Sequence, residues 1–288
     1  MREVSPIVII PVYKELNMWL GTELLSMIQC CEILSNHPIC LIGPHNLDWP
    51  SIKKFIHQSA NKTVNVASFD NQYFADIPGY NKLLKSLFFY EHFKSYSHLL
   101  IYQLDAYVFK DELEYWCRKD YDYIGAPWLE GLTDNSSTTL IGVGNGGFSL
   151  HKISSAIKVL KKLKLILPIL ESCENTVLYN RLPFLKWVTR LLLLKMLFRI
   201  NNQKYILKLS KSDETYEDIF WGRYIPATFQ EFNIAGVGDA IKFSFEVNPK
   251  YLYQLNNEEL PFGCHAWEKY DPEFWKKFID SAQLKYEG

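Results

Sequence analysis

His98-Leu99-Leu100-Ile101-Tyr102-Gln103-Leu104-Asp105 is the stretch on which the reading of this chain turns. Five apolar or aromatic-framed residues, His98 to Tyr102, have the length and composition of a strand buried on both faces, and the run ends in a carboxylate. Side chains two apart on an extended segment point the same way, so Gln103 and Asp105 share one side of the chain just past the strand. Two oxygen donors so placed can hold Mg2+ or Mn2+ while the ion bridges a diphosphate. The alternative at this point is that Asp105 caps a following helix.

Outward from this strand the pattern repeats. Val8 to Pro11, Ile39 to Ile42 and Val64 to Phe69 are short β-branched runs. They alternate with helical patterns over Trp19 to Leu34, Ile52 to His57 and Pro78 to Tyr96. Gly43-Pro44-His45-Asn46 reads as the turn that closes the second strand. Strand–helix alternation predicts an α/β/α sandwich around a mostly parallel sheet, in which ligands bind beyond the carboxyl ends of the strands. Pro11-Val12-Tyr13 and Gln103 to Asp105 fall at such ends.

After Asp120 the character changes. A polar loop over Gly131 to Thr139 precedes Gly142-Val143-Gly144-Asn145-Gly146-Gly147-Phe148-Ser149-Leu150. Glycine at this density lets backbone and partner approach closely. The run has neither the Gly-Lys-Ser/Thr of a P-loop nor the placement of a dinucleotide fingerprint, and a tight turn between strands is the competing reading. A helix follows from Lys152, and the Leu- and Lys-rich residues 160–212 read as a helical insertion. Glu214, Glu217 and Asp218 open a helix over Thr215 to Trp221, where carboxylates are favoured by the dipole and where one can serve as a general base. Phe243 to Val247 reads as a strand, and His265 sits in Pro261-Phe262-Gly263-Cys264-His265, a possible metal or phosphate contact or a structural histidine.

The 288 residues suffice for a large core without disulfides, and 31 Lys plus Arg against 32 Asp plus Glu exclude a global electrostatic case for nucleic acid. Six cysteines without zinc-like spacing read as reduced thiols of a cytosolic protein. Residues 184–200 carry Lys186, Arg190, Lys195 and Arg199 along an otherwise apolar segment. That pattern suits either a core-packed helix or a peripheral membrane contact.

Taken in order, Tyr80-Asn81-Lys82-Leu83-Leu84, Gln103-Leu104-Asp105, Asp122 to Trp128, Gly142 to Leu150, Glu217-Asp218 and Pro261 to His265 resemble the GT-A-fold glycosyltransferases, and in particular an uncharacterised family of glycosyltransferase-like domains. The resemblance implies a GT-A-like (Rossmann-like) fold formed by one catalytic domain over 1–288. Residues 1–120 would be the nucleotide-binding half and 121–288 the acceptor half, with the helical insertion at about 155–212. It implies transfer of a sugar from a nucleotide-sugar donor, UDP-linked, to the hydroxyl of a glycan or lipid-linked acceptor, with inversion, in surface-glycan synthesis. Pro11, Val12, Tyr13, Gln103, Asp105, Gly146 and Gly147 would bind the donor. Trp128, Asn145 and Trp221 would bind the acceptor, Asp218 with Glu217 would carry catalysis, and Asp105 with His265 would hold Mn2+ or Mg2+. Gln103 stands where that family usually has a first acid, so charge compensation of the metal is weaker. The alternative is a catalytically silent carbohydrate- or nucleotide-binding domain, or a membrane-associated scaffold. The location implied is cytoplasmic, peripheral at a membrane if residues 184–200 dock on lipid.

Overall fold

The computed structural model describes residues 4–177 and 215–283. Four parallel strands, β1 (Pro6–Pro11), β2 (Ile39–Pro44), β3 (Asn65–Phe69) and β4 (His98–Tyr102), lie in the order β3-β2-β1-β4. Beyond β4 the sheet is continued by β9 (Phe148–Lys152), antiparallel to it, and by β6 (Tyr123–Ile124). The fold is therefore mixed α/β around a mostly parallel sheet, as expected.

Strand periodicity divides the core into two layers. Ile7, Ile9, Ile42, Leu99 and Ile101 face α3 (Ile77–Leu84), α4 (Leu87–His92) and α6 (Ile153–Val177), where Leu83, Phe89 and Leu160 meet them. Val8, Ile10, Leu41, Leu100 and Tyr102 face α1 (Gly21–Ile33), α2 (Trp49–Ala60) and α5 (Leu113–Arg118) through Met27, Ile52 and Trp116. Every residue of β1, β2 and β4 is buried, the reason these strands read as unbroken apolar runs. Each fully buried Leu or Ile in these layers contributes about 1.5–3 kcal/mol.

Two local expectations are corrected. Gly43 and Pro44 do not turn the chain: they extend β2, pairing with Ser68 and Phe69. The single helix expected over Pro78 to Tyr96 is two. Ser86 takes an extended conformation, its hydroxyl donates to the Leu83 carbonyl at 2.6 Å, and the same oxygen accepts the Phe89 N–H at 3.4 Å. A serine that caps the next helix ends the previous one, and the apolar periodicity on either side concealed the break.

Two small sheets complete the site side. In one, β5 (Tyr107–Val108) pairs antiparallel with β11 (Gly263–Cys264), which pairs parallel with β10 (Ser244–Phe245). In the other, β7 (Pro127–Leu129) pairs with β8 (Leu140–Val143). The strand expected over Phe243 to Val247 is thus shorter, because Phe243 still belongs to the helix Val237–Phe243. Cys30, Cys31, Cys40, Cys117 and Cys264 are free and buried. Among the described residues no helix is long and apolar enough to cross a membrane. Residues 184–200 lie outside the described residues, as does most of the expected insertion.

Candidate active site

Sheet register assembles the site. Tyr102 pairs with Phe148, and the ladder continues one step further as the Gln103 N–H donates to the Gly147 carbonyl at 2.8 Å. The glycine-rich run therefore lies beside the end of β4. It is not a hairpin turn within one sheet, since β8 before it and β9 after it belong to different sheets. From the other direction, Cys264 pairs with Tyr107 and Phe245 pairs with Cys264. This register brings His265 and Glu246 back over the turn that contains Asp105.

The three meet in an ordered ion cluster. His265 Nε2 lies 3.2 Å from Asp105 Oδ1 and 3.3 Å from Gln103 Oε1, while Nδ1 lies 3.1 Å from Glu246 Oε1. Burial alone would lower the imidazole pKa, but Asp105 and Glu246 outweigh it and push it up to about 10. Burial likewise opposes the Asp105 charge, yet His265 holds that carboxyl below its ordinary value. Asp105 is thus a partner of His265 in a turn, not a helix cap.

Gly146 and Gly147 are required by close approach to protein. A Cβ on Gly147 would sit 1.9 Å from His265 Nε2, and one on Gly146 would sit 1.4 Å from Glu217 Oε1. The two glycines are wedged between the ion cluster and the acidic helix start. Asn145 next to them has φ +74° and accepts the Gly147 N–H on Oδ1 at 2.9 Å; an Asn side chain closes such a turn locally. Tyr123 donates to the Asn145 carbonyl at 3.2 Å. Ser149, held against His151 at 3.0 Å, donates to the Gly146 carbonyl at 3.3 Å.

The helix Glu217–Ile219 runs into a wider π-type turn, Phe220–Tyr224, and on into Ile225–Thr228. Wide turns of this kind recur beside functional sites. Asn81 of α3 fixes the helix start, its Oδ1 accepting the Glu217 N–H at 2.8 Å. Asp218 is half-buried; burial, with a lesser contribution from Glu246, raises its pKa from 3.8 to about 6. Glu217 is 4% exposed, and burial followed by the Asp218 charge raises its pKa well above the ordinary range.

These side chains line a cavity of about 660 Å3, with Tyr13, Phe74, Tyr80 and Lys269 on its other walls. A second cavity of about 280 Å3 is lined by Pro11, Tyr13, Lys14, Gln103, Asp105 and Glu268, among others. The two share Tyr13 and Gln103. Val12 contributes no side chain to either, being fully buried in the core layer.

Two expected acceptor residues are elsewhere. Trp221 is fully buried, stacks on Phe232 at 5.8 Å and donates its indole N–H to the Leu84 carbonyl at 3.2 Å. Trp128 is 7% exposed and packs under Gly144, where a Cβ would come within 1.8 Å of its ring. Neither ring has a free face for a sugar, so both are core residues. Sequence reasoning gave no role to Glu246, to Lys269, or to Asn81 as the anchor of the acidic helix. Only Glu246 had a usable signal: in Phe243-Ser244-Phe245-Glu246-Val247 it is the charged member of an alternating, buried-face strand pattern.

Among the described residues no three His, Cys, Asp or Glu side chains group as a metal cage. The donors that do converge are one carboxylate, one imidazole and one amide oxygen. This set fits a divalent ion that completes its coordination with phosphate oxygens.

Residues 63–265 match the family described as a protein of unknown function, DUF5672. The chain belongs to this family. The match covers more than half of the chain and takes in every site residue named above except the first-strand end and Lys269, with Glu268 also beyond it. The expected membership of an uncharacterised family is borne out. No curated protein matches the chain.

Solved structures similar to this member of the family include the galactosyltransferase LgtC in complex with donor and acceptor sugar analogs. It is 11% identical with a TM-score of 0.47, over 98% of this chain and 94% of that one. The bifunctional glycosyltransferase WbbM is 9% identical with a TM-score of 0.47, over 98% and 50% of the two chains. Core-mannan synthase A from Aspergillus fumigatus, in its Mn/GDP form, is 12% identical with a TM-score of 0.36, over 53% of this chain. The match takes in 60% of that synthase, less than two thirds of its length. Likeness at this level concerns the general path of the chain and transfers no residue role.

Proposed function

We propose that this protein is a glycosyltransferase that moves a sugar from a nucleotide-sugar donor to an acceptor hydroxyl, with Asp218 as the general base. The observation that carries the reading is a half-buried carboxylate with pKa about 6 on a cavity also lined by Gln103 and His265, the latter paired with Asp105. A base poised near neutrality combines a large ionised fraction with a useful affinity for the proton it removes. A cationic or metal-holding cluster at the same cavity is what a departing diphosphate needs.

The roles follow from position. Pro11 and Tyr13, at the mouth of the smaller cavity, would flank the nucleoside. The diphosphate would lie at Asp105 of the smaller cavity, His265 of the larger and Gln103 of both, and the sugar would lie in the larger one. Gln103 Oε1, Asp105 Oδ1 and His265 Nε2 would hold Mn2+ or Mg2+ in place of the imidazole proton. Such an ion supplies charge neutralisation for the leaving nucleoside diphosphate. Glu246, bonded to the other imidazole nitrogen, orients the ring. Asp218 would take the acceptor proton as the acceptor oxygen attacks the anomeric carbon from the face opposite the leaving group, which gives inversion. One catalytic domain spanning the chain, with donor-binding and acceptor-binding halves, is the organisation this reading entails.

The test is Asp218→Asn. Donor binding, followed by titration with UDP in the presence and absence of Mn2+, should persist, whereas transfer should fall by about 10^3-fold or more, as for loss of a general base whose contribution is about 10^2–10^4. Retained turnover removes Asp218 from that role. A wild-type protein that binds UDP yet neither transfers nor hydrolyses any donor is instead a silent binding domain, the outcome that Gln103 in place of an acid would favour.

A further inference from the structure

Two polar groups at the cavity have no partner inside the protein. Glu217 Oε2 and Asn145 Nδ2 are both buried without a hydrogen bond, on residues only 4% and 2% exposed. Both residues line the larger cavity. A buried group left unpaired costs about 1–3 kcal/mol, so a pair of them on residues that line one cavity needs a reason.

Their orientation is fixed from the protein side. Asn145 Oδ1 is committed to the Gly147 N–H, which leaves the amide nitrogen to face away as a donor. Glu217 Oε1 fills the space that a Cβ of Gly146 would take, and the Glu217 backbone is tied to Asn81. Gly146, which follows Asn145, thus leaves room for the Glu217 carboxyl beside the same loop. Aromatic and neutral groups dominate the surroundings of the carboxyl: Tyr80, Tyr90 and Tyr123 are all buried near it. Asp218 adds a like charge, and only Lys85 and His265 act in the opposite sense. Two adjacent carboxyls in so dry a place favour one shared proton over two charges.

We propose that Glu217 and Asn145 form a subsite for hydroxyl groups of a sugar ring, in which Glu217 acts as a neutral carboxylic acid and not as a second base. This deepens the glycosyl-transfer reading and rests on it. An acid O–H and an amide N–H each donate to a ring hydroxyl, while the acid carbonyl accepts one in return. A charged carboxylate could only accept. Asp218, more exposed and closer to the usual carboxylate range, remains the ionised member. Glu217 is in this account a binding residue that selects the sugar.

The full-length protein decides the matter by two measurements. The first is the infrared difference spectrum between wild type and Glu217→Gln at pH 7, in which the carbonyl stretch of a protonated carboxyl should be present. Its absence means an ionised Glu217 and overturns the proposal whatever the protein's activity. The second is calorimetric titration with UDP, UDP-glucose, UDP-galactose, GDP and GDP-mannose. One sugar nucleotide should bind more tightly than its bare nucleotide. Glu217→Ala and Asn145→Asp should each lose about tenfold of that affinity, the scale of one buried hydrogen bond, with the bare nucleotide unaffected.

Glu217→Gln, neutral and of the same shape, should restore what alanine removes. Equal losses in Glu217→Gln and Glu217→Ala would mean that a charge is needed, and wild-type affinity in both Glu217→Ala and Asn145→Asp would mean no contact; either overturns the subsite. If Glu217→Ala does not fold, Glu217→Gln, Asn145→Asp and the wild-type spectrum still decide. Nucleotides that bind with no gain from the sugar remove the subsite alone. A protein that binds none of the five removes the glycosyl-transfer reading, and the subsite with it.

Discussion

A carboxylate that is to take a proton from an alcohol must be held short of full comfort as an anion, and Asp218, the proposed base, is held so by burial. The same burial is a stability statement. Its folded pKa of about 6 lies above the ordinary 3.8, so the folded protein holds the proton more tightly than the unfolded chain. Stability from this group is complete below the ordinary value and is lost as pH rises through about 6. Asp218→Asn should therefore stabilise the protein at pH 7, by on the order of 2 kcal/mol, and by little at pH 4. Urea melts of both proteins at the two pH values measure it. The transfer rate of the wild type should rise with pH through the same interval and then level off. A variant that is more stable and inactive is the expected signature of a strained functional group.

Gly147 permits a second residue-scale prediction. Its missing side chain is the space occupied by His265 Nε2, at 1.9 Å from an added Cβ. Gly147→Ala must push the imidazole from Asp105 and Gln103 or displace the loop. A cost of about 1–3 kcal/mol in a denaturant melt is expected, as for overpacking generally. Nucleotide affinity in the presence of Mn2+ should fall more steeply than stability, because the displaced group is the cluster at the proposed diphosphate position.

At the scale of elements, the acidic helix start is positioned by α3, not by its own sequence neighbours. Asn81, 6% exposed, accepts the Glu217 N–H and donates its own amide to the Ile77 carbonyl at 2.8 Å. Asn81→Ala leaves that N–H unpaired in a buried place and should cost about 1–3 kcal/mol. Asn81→Asp keeps the acceptor but sets a third carboxyl beside Glu217 and Asp218. It should be tolerated at pH 5 and destabilising at pH 8, unlike the alanine variant, whose cost does not depend on pH. Thermal melts of the two variants across that interval separate an anchoring role from a bystander.

The same element shows why some of the molecule could be read in advance and some could not. Strands β1, β2 and β4 were legible because each is buried on both faces and reads as an unbroken apolar run. The break at Ser86 was not, since a cap is one hydroxyl within a continuous apolar period. The position of Gln103, Asp105, Glu217, Asp218 and His265 around one site was legible only through their order and resemblance. Nothing in the spacing of His265 from Glu246 or of Asn81 from Glu217 reveals that sheet register brings them together. The tryptophans erred in the opposite direction. An aromatic ring next to a functional motif is more often the packing that supports the motif, and Trp128 and Trp221 are both of that kind.

For the whole molecule, the site is a point where separate parts of the chain meet: Tyr13 after β1, Gln103 and Asp105 after β4, the glycine run before β9, and His265 after β11. A divalent ion and a nucleoside diphosphate bound at that junction would each complete the coordination of the other. Linkage then requires that each tighten the other by the same factor. Mn2+ alone and UDP alone should raise the melting temperature little, and the two together by more than the sum, since stabilisation grows as RT ln(1 + [L]/Kd) for each tightened equilibrium. Asp105→Asn and His265→Ala should abolish the excess while preserving the small effect of UDP alone, because the smaller cavity keeps its other walls. Gln103→Asp restores an acid to the first position and should enlarge the excess. Strict additivity of Mn2+ and UDP in the wild type would place the ion elsewhere and leave the His265 cation as the sole partner of the phosphates.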